Sequence, residues 1–163
     1  MHRSPKHDSP TDIQHFLQEE GLAPSRRFGQ NFLVNPGVRK KILELLELRS
    51  GDRIWEIGPG LGAMTAELAG HDGGITLFEI DRRFAEYLRS LYRGDERVEV
   101  VEGDFLQTWE EVRGRKGEPD RILGNLPYNA ASRIIAALLE GEATASRMVF
   151  TVQREVGMRM MTA

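Results

Sequence analysis

The chain has 163 residues, enough for one domain with a real core and too few for two ordinary domains. It contains no cysteine, which excludes disulfide bonds and thiolate metal sites and is compatible with a reducing cytoplasm. A formal net charge of −3 argues mildly against a nucleic-acid partner, which would normally meet a basic face. No apolar run approaches the ~18 residues of a membrane span. We expect a cytoplasmic protein that uses neither a membrane nor a metal ion.

The first third of the chain predicts two helices joined by an irregular stretch. The opening MHRSPKHDSP lacks the apolar core of a signal peptide, and we expect it to be a flexible lead-in. One helix is expected to begin at Ser9-Pro10 and to end at Gly21, because serine favours the cap and glycine the stop. A second begins at Asn35-Pro36. Its early basic residues are expected to form a solvated face: Arg39, Lys40 and Lys41.

The segment Arg53–Gly62, reading RIWEIGPGLG, is a short apolar run that breaks into glycines before a helical pattern. A buried strand that turns through glycines into a helix leaves free backbone N–H groups at its carboxyl end. Glycine suits this turn because it accepts positive φ and lets a ligand approach closely. We expect Gly58 and Gly60 to meet a ligand, and Glu56 to hold the loop through backbone N–H groups. A tight turn without a ligand is the alternative.

Predicted strands alternate with predicted helices along the rest of the chain. The strands are expected at 54–57, 75–80, 98–101, 121–123 and 148–152. The helices are expected at 63–69, from Asp81, and at 109–112, 130–139 and 154–161, with a basic loop at 113–119. This order predicts an α/β fold with a mostly parallel sheet and right-handed crossovers. In such sheets ligands bind outside the carboxyl ends of the strands.

Acidic residues stand at the ends of the second and third predicted strands. Glu79 follows the last glycine by roughly 20 residues, where a nucleoside ribose would offer its two hydroxyls. We therefore predict that Glu79 binds a ribose, with a plain surface acid as the alternative. Asp104 is placed to accept a hydrogen bond from an adenine amine, with Ile80 and Phe105 as apolar plates for the ring. Asp104 also fits a helix N-cap, which would not exclude that role.

The segment Asn125-Leu126-Pro127-Tyr128 follows the fourth predicted strand. Pro127 fixes its own φ and keeps Leu126 extended, so that the Asn125 side-chain oxygen and the Leu126 carbonyl form a rigid pair of acceptors. Tyr128 offers a ring for stacking on a base lifted from its helix. Two such bonds would keep the lone pair of an exocyclic amine out of the ring and make it nucleophilic. A simple Asn-x-Pro turn is the alternative.

The motifs GQNFL, EIGPGLG, EID, GDF and NLPY, in this order and spacing, resemble the ribosomal RNA adenine dimethyltransferase family. The resemblance runs from about Arg26 to Arg154. It implies a Rossmann-like, doubly wound fold of a class I S-adenosylmethionine-dependent methyltransferase. It also implies that Asn31 and Leu33 touch the cofactor beside Gly58, Glu79, Asp104 and Asn125. Bacterial members dimethylate two adjacent adenosines of small-subunit ribosomal RNA in the 30S ribosomal particle, releasing S-adenosylhomocysteine.

Members of that family continue with two more strands, a loop that completes the target pocket, and a small helical RNA-binding domain. We therefore expect residues 25–163 to form a C-terminally incomplete methyltransferase domain, preceded by an N-terminal extension and helix in residues 1–24. The full-length protein is expected to be a monomer. Whether this chain alone is active stays open.

Three other functions remain open at this point. One is a large-subunit ribosomal RNA methyltransferase of the macrolide-resistance type. Another is a non-catalytic RNA-binding or transcription factor on the same fold, which the intact NLPY motif disfavours because binding alone needs no paired acceptors. A nicotinamide-dependent dehydrogenase would share the glycine turn and Glu79 but would not explain NLPY.

Overall fold

The structure is a computed structural model of the chain, and it describes residues 3–22, 32–127 and 129–161. Within these residues five strands and seven helices follow one another. The strands are β1 (Ile54–Ile57), β2 (Ile75–Glu79), β3 (Val98–Glu102), β4 (Arg121–Asn125) and β5 (Arg147–Thr151). The helices are α1 (Pro10–Glu19), α2 (Pro36–Leu46), α3 (Ala63–Glu67), α4 (Arg82–Leu91), α5 (Phe105–Lys116), α6 (Ala131–Glu140) and α7 (Arg154–Met161).

All five strands are parallel and lie in the order β3-β2-β1-β4-β5, which confirms the predicted doubly wound sheet. The chain moves outward from β1 to β3 and then returns to place β4 on the other side of β1. In the parallel register Ile57 of β1 lies between Phe78 and Gly124. The glycine-rich segment after β1 therefore begins at the switch point, where the crevice of such a sheet opens.

Two apolar clusters cover the two faces of the sheet. Neighbouring residues of a strand point to opposite faces, so Ile122 enters one cluster and Leu123 the other. On one face the sheet packs against α1, α2 and α4, and on the other against α5 and α6. Because helices cover both faces, the four residues of β1 are all buried, as expected for a parallel sheet.

Three helix starts follow the predicted caps. The side chains of Ser9, Asn35 and Asp81 accept hydrogen bonds from the backbone N–H groups of Asp12, Val38 and Arg83. Both predicted bounds of the helix expected at 109–112 are wrong, because α5 begins at Phe105 and continues to Lys116 through most of the expected basic loop. The glycine and charges there are typical of a loop. In the fold, Arg115 and Lys116 form ion pairs with Glu99 of β3, and these pairs hold the last helical turn against the sheet.

Two other expectations about the N-terminal third are wrong. Arg39 is not on a solvated face, since only 6% of its surface is exposed. The lead-in is fixed to the start of α1, because Pro5 is buried and the Lys6 N–H donates to Asp12 Oδ2 at 2.7 Å, although most of its other side chains are exposed. Across the described ranges, every helix is too short or too polar to span a bilayer.

Candidate active site

A cleft opens at the carboxyl ends of the central strands and holds about 870 Å³ of space between protein atoms, part of which is open to solvent. Several predicted site residues converge on it from segments far apart in the sequence. They are Leu33, Gly58, Gly60, Glu79, Ile80, Asn125 and Pro127. The lining also includes residues that the sequence did not suggest: His7, Phe32, Glu56 and Thr151.

The glycine-rich segment makes its turn with left-handed backbone conformations. Gly58 has a φ of +72° and Gly60 a φ of +57°. A Cβ atom added at Gly58 would lie 3.5 Å from the Asn125 carbonyl oxygen, and one at Gly60 would lie 3.6 Å from the Phe32 ring. Both are ordinary contact distances. The backbone conformation, rather than lack of space in the ligand-free cleft, therefore requires glycine at these two positions.

Glu79 ends β2 and holds the glycine-rich segment. Its side-chain atom Oε2 accepts a hydrogen bond from the Gly60 N–H at 3.0 Å, and Oε1 accepts one from the Asp81 N–H at 2.9 Å. Burial raises the pKa of Glu79 to about 7, against the opposite effect of these backbone N–H groups. Each carboxylate oxygen can accept a further hydrogen bond, so this position is compatible with the predicted ribose contact.

Glu56 does not hold the loop through backbone N–H groups, so that prediction is wrong. It lies within β1, and its Oε2 accepts a hydrogen bond from the Thr65 hydroxyl on α3 at 2.7 Å. Burial is the main cause that raises the pKa of Glu56 to about 7, and the neighbouring Glu79 adds to it. Two buried carboxyl groups with raised pKa values therefore line one cleft.

We expect Glu56→Gln to stabilise the ligand-free chain by about 1–3 kcal/mol near pH 8 and far less near pH 5. The unfolded pKa is close to the ordinary 4.5 and the folded value is about 7. The folded state therefore binds more protons between these values, and the stability that Glu56 contributes is lost as pH rises through about 7. Near pH 5 the protonated carboxyl and the amide are nearly isosteric.

Urea unfolding at the two pH values measures this difference. Glu102→Gln is the control, because Glu102 ends strand β3 of the same sheet with a side chain 36% exposed and paired with Arg89. The control should leave the pH dependence of wild type unchanged. Equal effects of Glu56→Gln at both pH values would contradict the assignment of the raised pKa to this buried carboxyl.

Asn125 ends β4 and faces Thr151, its partner in the parallel register with β5. The Thr151 hydroxyl donates to Asn125 Oδ1 at 2.7 Å, and the Leu126 N–H donates to the Thr151 carbonyl at 3.0 Å. The end of β5 thus fixes both residues proposed to face a target base. The role of Asn125 Oδ1 as one of two paired acceptors stays a prediction. Sequence reasoning missed Thr151 because only the strand register brings it to the site.

The structure does not bring every predicted site residue to the cleft wall. Asp104 caps α5, where its Oδ1 accepts from the Leu106 N–H at 3.0 Å. Phe105 packs in the core, with its ring centroid 4.9 Å from that of Phe78. Neither lines the cleft in the described residues. Both lie just past the end of β3, at the same edge of the sheet, and their adenine contacts stay predictions.

Three further predicted site residues are Leu126, Asn31 and Tyr128. Leu126 is 4% exposed and packs its side chain into the core, which leaves its backbone for the proposed contact. Asn31 and Tyr128 lie outside the described residues. Among the residues that are described, no three His, Asp or Glu side chains are grouped so that they could hold a metal ion.

The sequence model of the family described as ribosomal RNA adenine dimethylase matches residues 23–163. The chain belongs to this family. It is 44% identical to the ribosomal RNA small subunit methyltransferase A of Treponema pallidum, over 96% of this chain and 54% of that protein. The protein of the same name from Borreliella burgdorferi is 40% identical, over 94% of this chain and 53% of its own length. The chain thus spans about half the length of the curated relatives it matches.

Solved structures agree with the fold of the adenine dimethylase family. A dimethyladenosine transferase from Plasmodium falciparum has a TM-score of 0.63 and 28% identity, over 78% of this chain and 44% of that one. The 23S rRNA methyltransferase ErmE has a TM-score of 0.58 and 34% identity, over 76% and 49%. These similarities confirm the predicted Rossmann-like fold of class I methyltransferases.

Proposed function

We propose that this chain is the cofactor-binding part of an S-adenosylmethionine-dependent enzyme that dimethylates two adjacent adenosines of small-subunit ribosomal RNA. The observation that carries the proposal is the convergence of Gly58, Glu79 and Asn125 on one cleft in a member of the adenine dimethylase family. The names of the two bacterial relatives favour the small-subunit target over the large-subunit one. An enzyme acting on ribosomal particles would work in the cytoplasm.

The charge of the cleft favours S-adenosylmethionine over a nicotinamide dinucleotide. Two buried carboxyl groups, Glu56 and Glu79, line the cleft, and the pKa of each is raised to about 7. A positively charged ligand would favour their ionised forms, whereas a pyrophosphate would be repelled by them. The sulfonium of S-adenosylmethionine supplies an electrophilic methyl group together with that positive charge.

The residues at the end of β4 would prepare the acceptor. Asn125 Oδ1 and the Leu126 carbonyl would accept the two protons of the adenine amine, which localises the nitrogen lone pair. The Thr151 hydroxyl holds Asn125 Oδ1 at 2.7 Å, so the acceptor is already oriented before a base arrives. Pro127 would stiffen the turn after them, and Tyr128 would stack on the base. The amine nitrogen would attack the methyl carbon, so that a C–N bond forms as the C–S bond breaks. S-adenosylhomocysteine would leave as the neutral thioether, and the amine proton would pass to solvent.

Several basic side chains on the described surface pair with carboxylates, which is relevant to the alternative of a non-catalytic RNA-binding factor. Arg89, Arg97 and Arg115 each pair with a carboxylate, as Lys116 also does. Nucleic-acid affinity depends mainly on phosphate neutralisation by Lys and Arg. We propose that this chain binds the cofactor and presents the target adenine, and that it contributes little of the contact with RNA phosphates.

Two measurements test the proposal. Calorimetric titration of this chain should show saturable binding of S-adenosylhomocysteine and none of NADH. The full-length protein, given radiolabelled S-adenosylmethionine and undermethylated small-subunit particles, should place two methyl groups on each of two adjacent adenosines. Binding of NADH alone would favour the dehydrogenase alternative. Labelling of large-subunit RNA instead would favour the resistance-type methyltransferase.

A further inference from the structure

We infer that Arg39 is a positioning residue for the cofactor cleft, and that its guanidinium fastens two cleft walls to the helix behind the glycine-rich segment. The inference rests on the proposed function, because it concerns the same cleft. It assigns a role to a buried charge that lies outside the predicted site and outside the proposed methyl transfer.

Arg39 joins three segments that are distant in sequence. It lies near the start of α2, and its Nη1 donates to the carbonyl oxygens of Leu33 at 3.0 Å and Val34 at 3.1 Å. The same nitrogen lies 3.5 Å from the His7 carbonyl oxygen. Its Nε donates to Glu67 Oε1 at 3.1 Å. One guanidinium therefore ties the N-terminal segment and the loop of residues 32–34 to the end of α3.

These segments form the cleft. His7, Phe32 and Leu33 line it, and the Phe32 ring lies on the side of Gly60 where a Cβ atom would be, 3.6 Å from that position. Glu67 ends α3, the helix that follows the glycine-rich segment directly. A shift of the loop relative to α3 would therefore change the distance between the two walls that face each other across the ligand space.

The chemistry of arginine suits this task. Leu33 and Val34 belong to neither a helix nor a strand, so their carbonyl groups have no partner in a helix or a sheet and need donors from elsewhere in the fold. A planar guanidinium carries several donors in fixed directions, which a lysine ammonium does not. Burying this charge is unfavourable unless it is paired, and Glu67 supplies the opposite charge. Replacing Arg39 would therefore release the loop while leaving its apolar contacts in place.

A second buried arginine provides a matched control. Arg121 begins β4 at the amino end of the sheet and is 4% exposed. It donates to the carbonyl oxygens of Leu46 at 2.8 Å and Glu47 at 3.0 Å, and it pairs with Asp52 at 3.1 Å. Burial, carbonyl contacts and a carboxylate partner are thus shared with Arg39. Arg121 does not line the cleft.

The experiment compares Arg39→Met with Arg121→Met in this chain. Calorimetry measures the affinity for S-adenosylhomocysteine, and hydrogen exchange by mass spectrometry measures the protection of residues 32–34 without ligand. Arg39→Met should lower the affinity by about tenfold or more and speed exchange in that loop. Arg121→Met should keep the affinity within about twofold and leave loop exchange unchanged, even where its melting temperature falls.

Arg39→Lys replaces the methionine variant if that variant does not fold. A loss of affinity is still expected, because one ammonium cannot reach both walls. The loss should be smaller than for methionine, because lysine keeps the positive charge. Wild-type affinity in a folded Arg39 variant, or equal losses in the Arg39 and Arg121 variants, would overturn the inference. So would unfolding of both Arg39 variants beside a folded Arg121→Met. If wild type binds no S-adenosylhomocysteine, the proposed function fails. The hydrogen-exchange rate of residues 32–34 then tests the role of Arg39 by itself. Equal rates in wild type and Arg39→Met would overturn the inference.

Discussion

Replacing Asn125 by alanine is expected to lower the turnover rate of the full-length enzyme by about a hundredfold or more, with a much smaller effect on RNA affinity. The reason is that Asn125 Oδ1 would bind an amine proton most strongly as the nitrogen attacks. Interactions that strengthen in the transition state affect turnover rather than binding. The 2.7 Å hydrogen bond from the Thr151 hydroxyl orients the Asn125 side-chain oxygen before the base binds. Alanine removes this oriented acceptor altogether.

Single-turnover methyl transfer to undermethylated particles measures the effect, and cofactor affinity is measured alongside because Asn125 also lines the cofactor cleft. The matched control is Asn35→Ala. Asn35 caps α2 through the Val38 N–H and does not line the cleft, so this variant should lose about 1 kcal/mol of stability and keep its turnover rate. Near wild-type transfer by Asn125→Ala would rule out the acceptor role. A fall confined to cofactor affinity would reassign Asn125 to the cofactor alone.

Replacing Glu79 by glutamine should weaken the binding of S-adenosylhomocysteine roughly ten- to a hundredfold. Hydrogen bonds to a charged group are worth about 1.5–3 kcal/mol, and the ribose hydroxyls would lose a carboxylate partner. The glutamine keeps the side-chain length but offers only one acceptor oxygen. It therefore also loses one of the two bonds to the Gly60 and Asp81 N–H groups, which adds to the effect.

The pH dependence of binding separates the direct role of Glu79 from a general disturbance. Because its pKa in the free chain is about 7, wild-type affinity should rise with pH up to about 7 and level off above it. Below that value the affinity should fall by up to about tenfold per pH unit. The Gln variant should lose this part of the pH dependence, whereas Glu56→Gln and the exposed Glu102→Gln should retain it. A wild-type affinity that does not change between pH 5 and 8 would contradict the ribose role of an ionised Glu79.

Local sequence determined the order of the elements and most of their starts. Ser9, Asn35 and Asp81 cap helices as predicted, because a cap depends on residues three or fewer positions away. Gly58 and Gly60 were predicted for the same reason, since positive φ is a property of one residue and its neighbours. The alternation of strands and helices was enough to predict the parallel sheet and the edge at which the site lies.

The roles of the two glutamates were decided only by the tertiary structure. The sequence places Glu56 beside the glycines and Glu79 a strand away, which suggested that Glu56 holds the loop. The parallel register of β1 and β2 instead brings Glu79 to the Gly60 N–H, while Glu56 reaches Thr65 on α3. Burial of both carboxyl groups then raises their pKa values, an effect that depends on packing from every side.

Sequence alone determined which residues of this protein stand at strand ends and turns, because those choices depend on backbone chemistry within a few positions. Tertiary structure decided which side chains meet there. Thr151 reaches Asn125 from 26 residues away, and Arg39 reaches Glu67 from 28 residues away. Arg39 reads as a solvated charge on a helix surface, yet it is buried because three separate segments close around it. Contacts of this kind depend on how whole elements pack, and no local pattern records that packing.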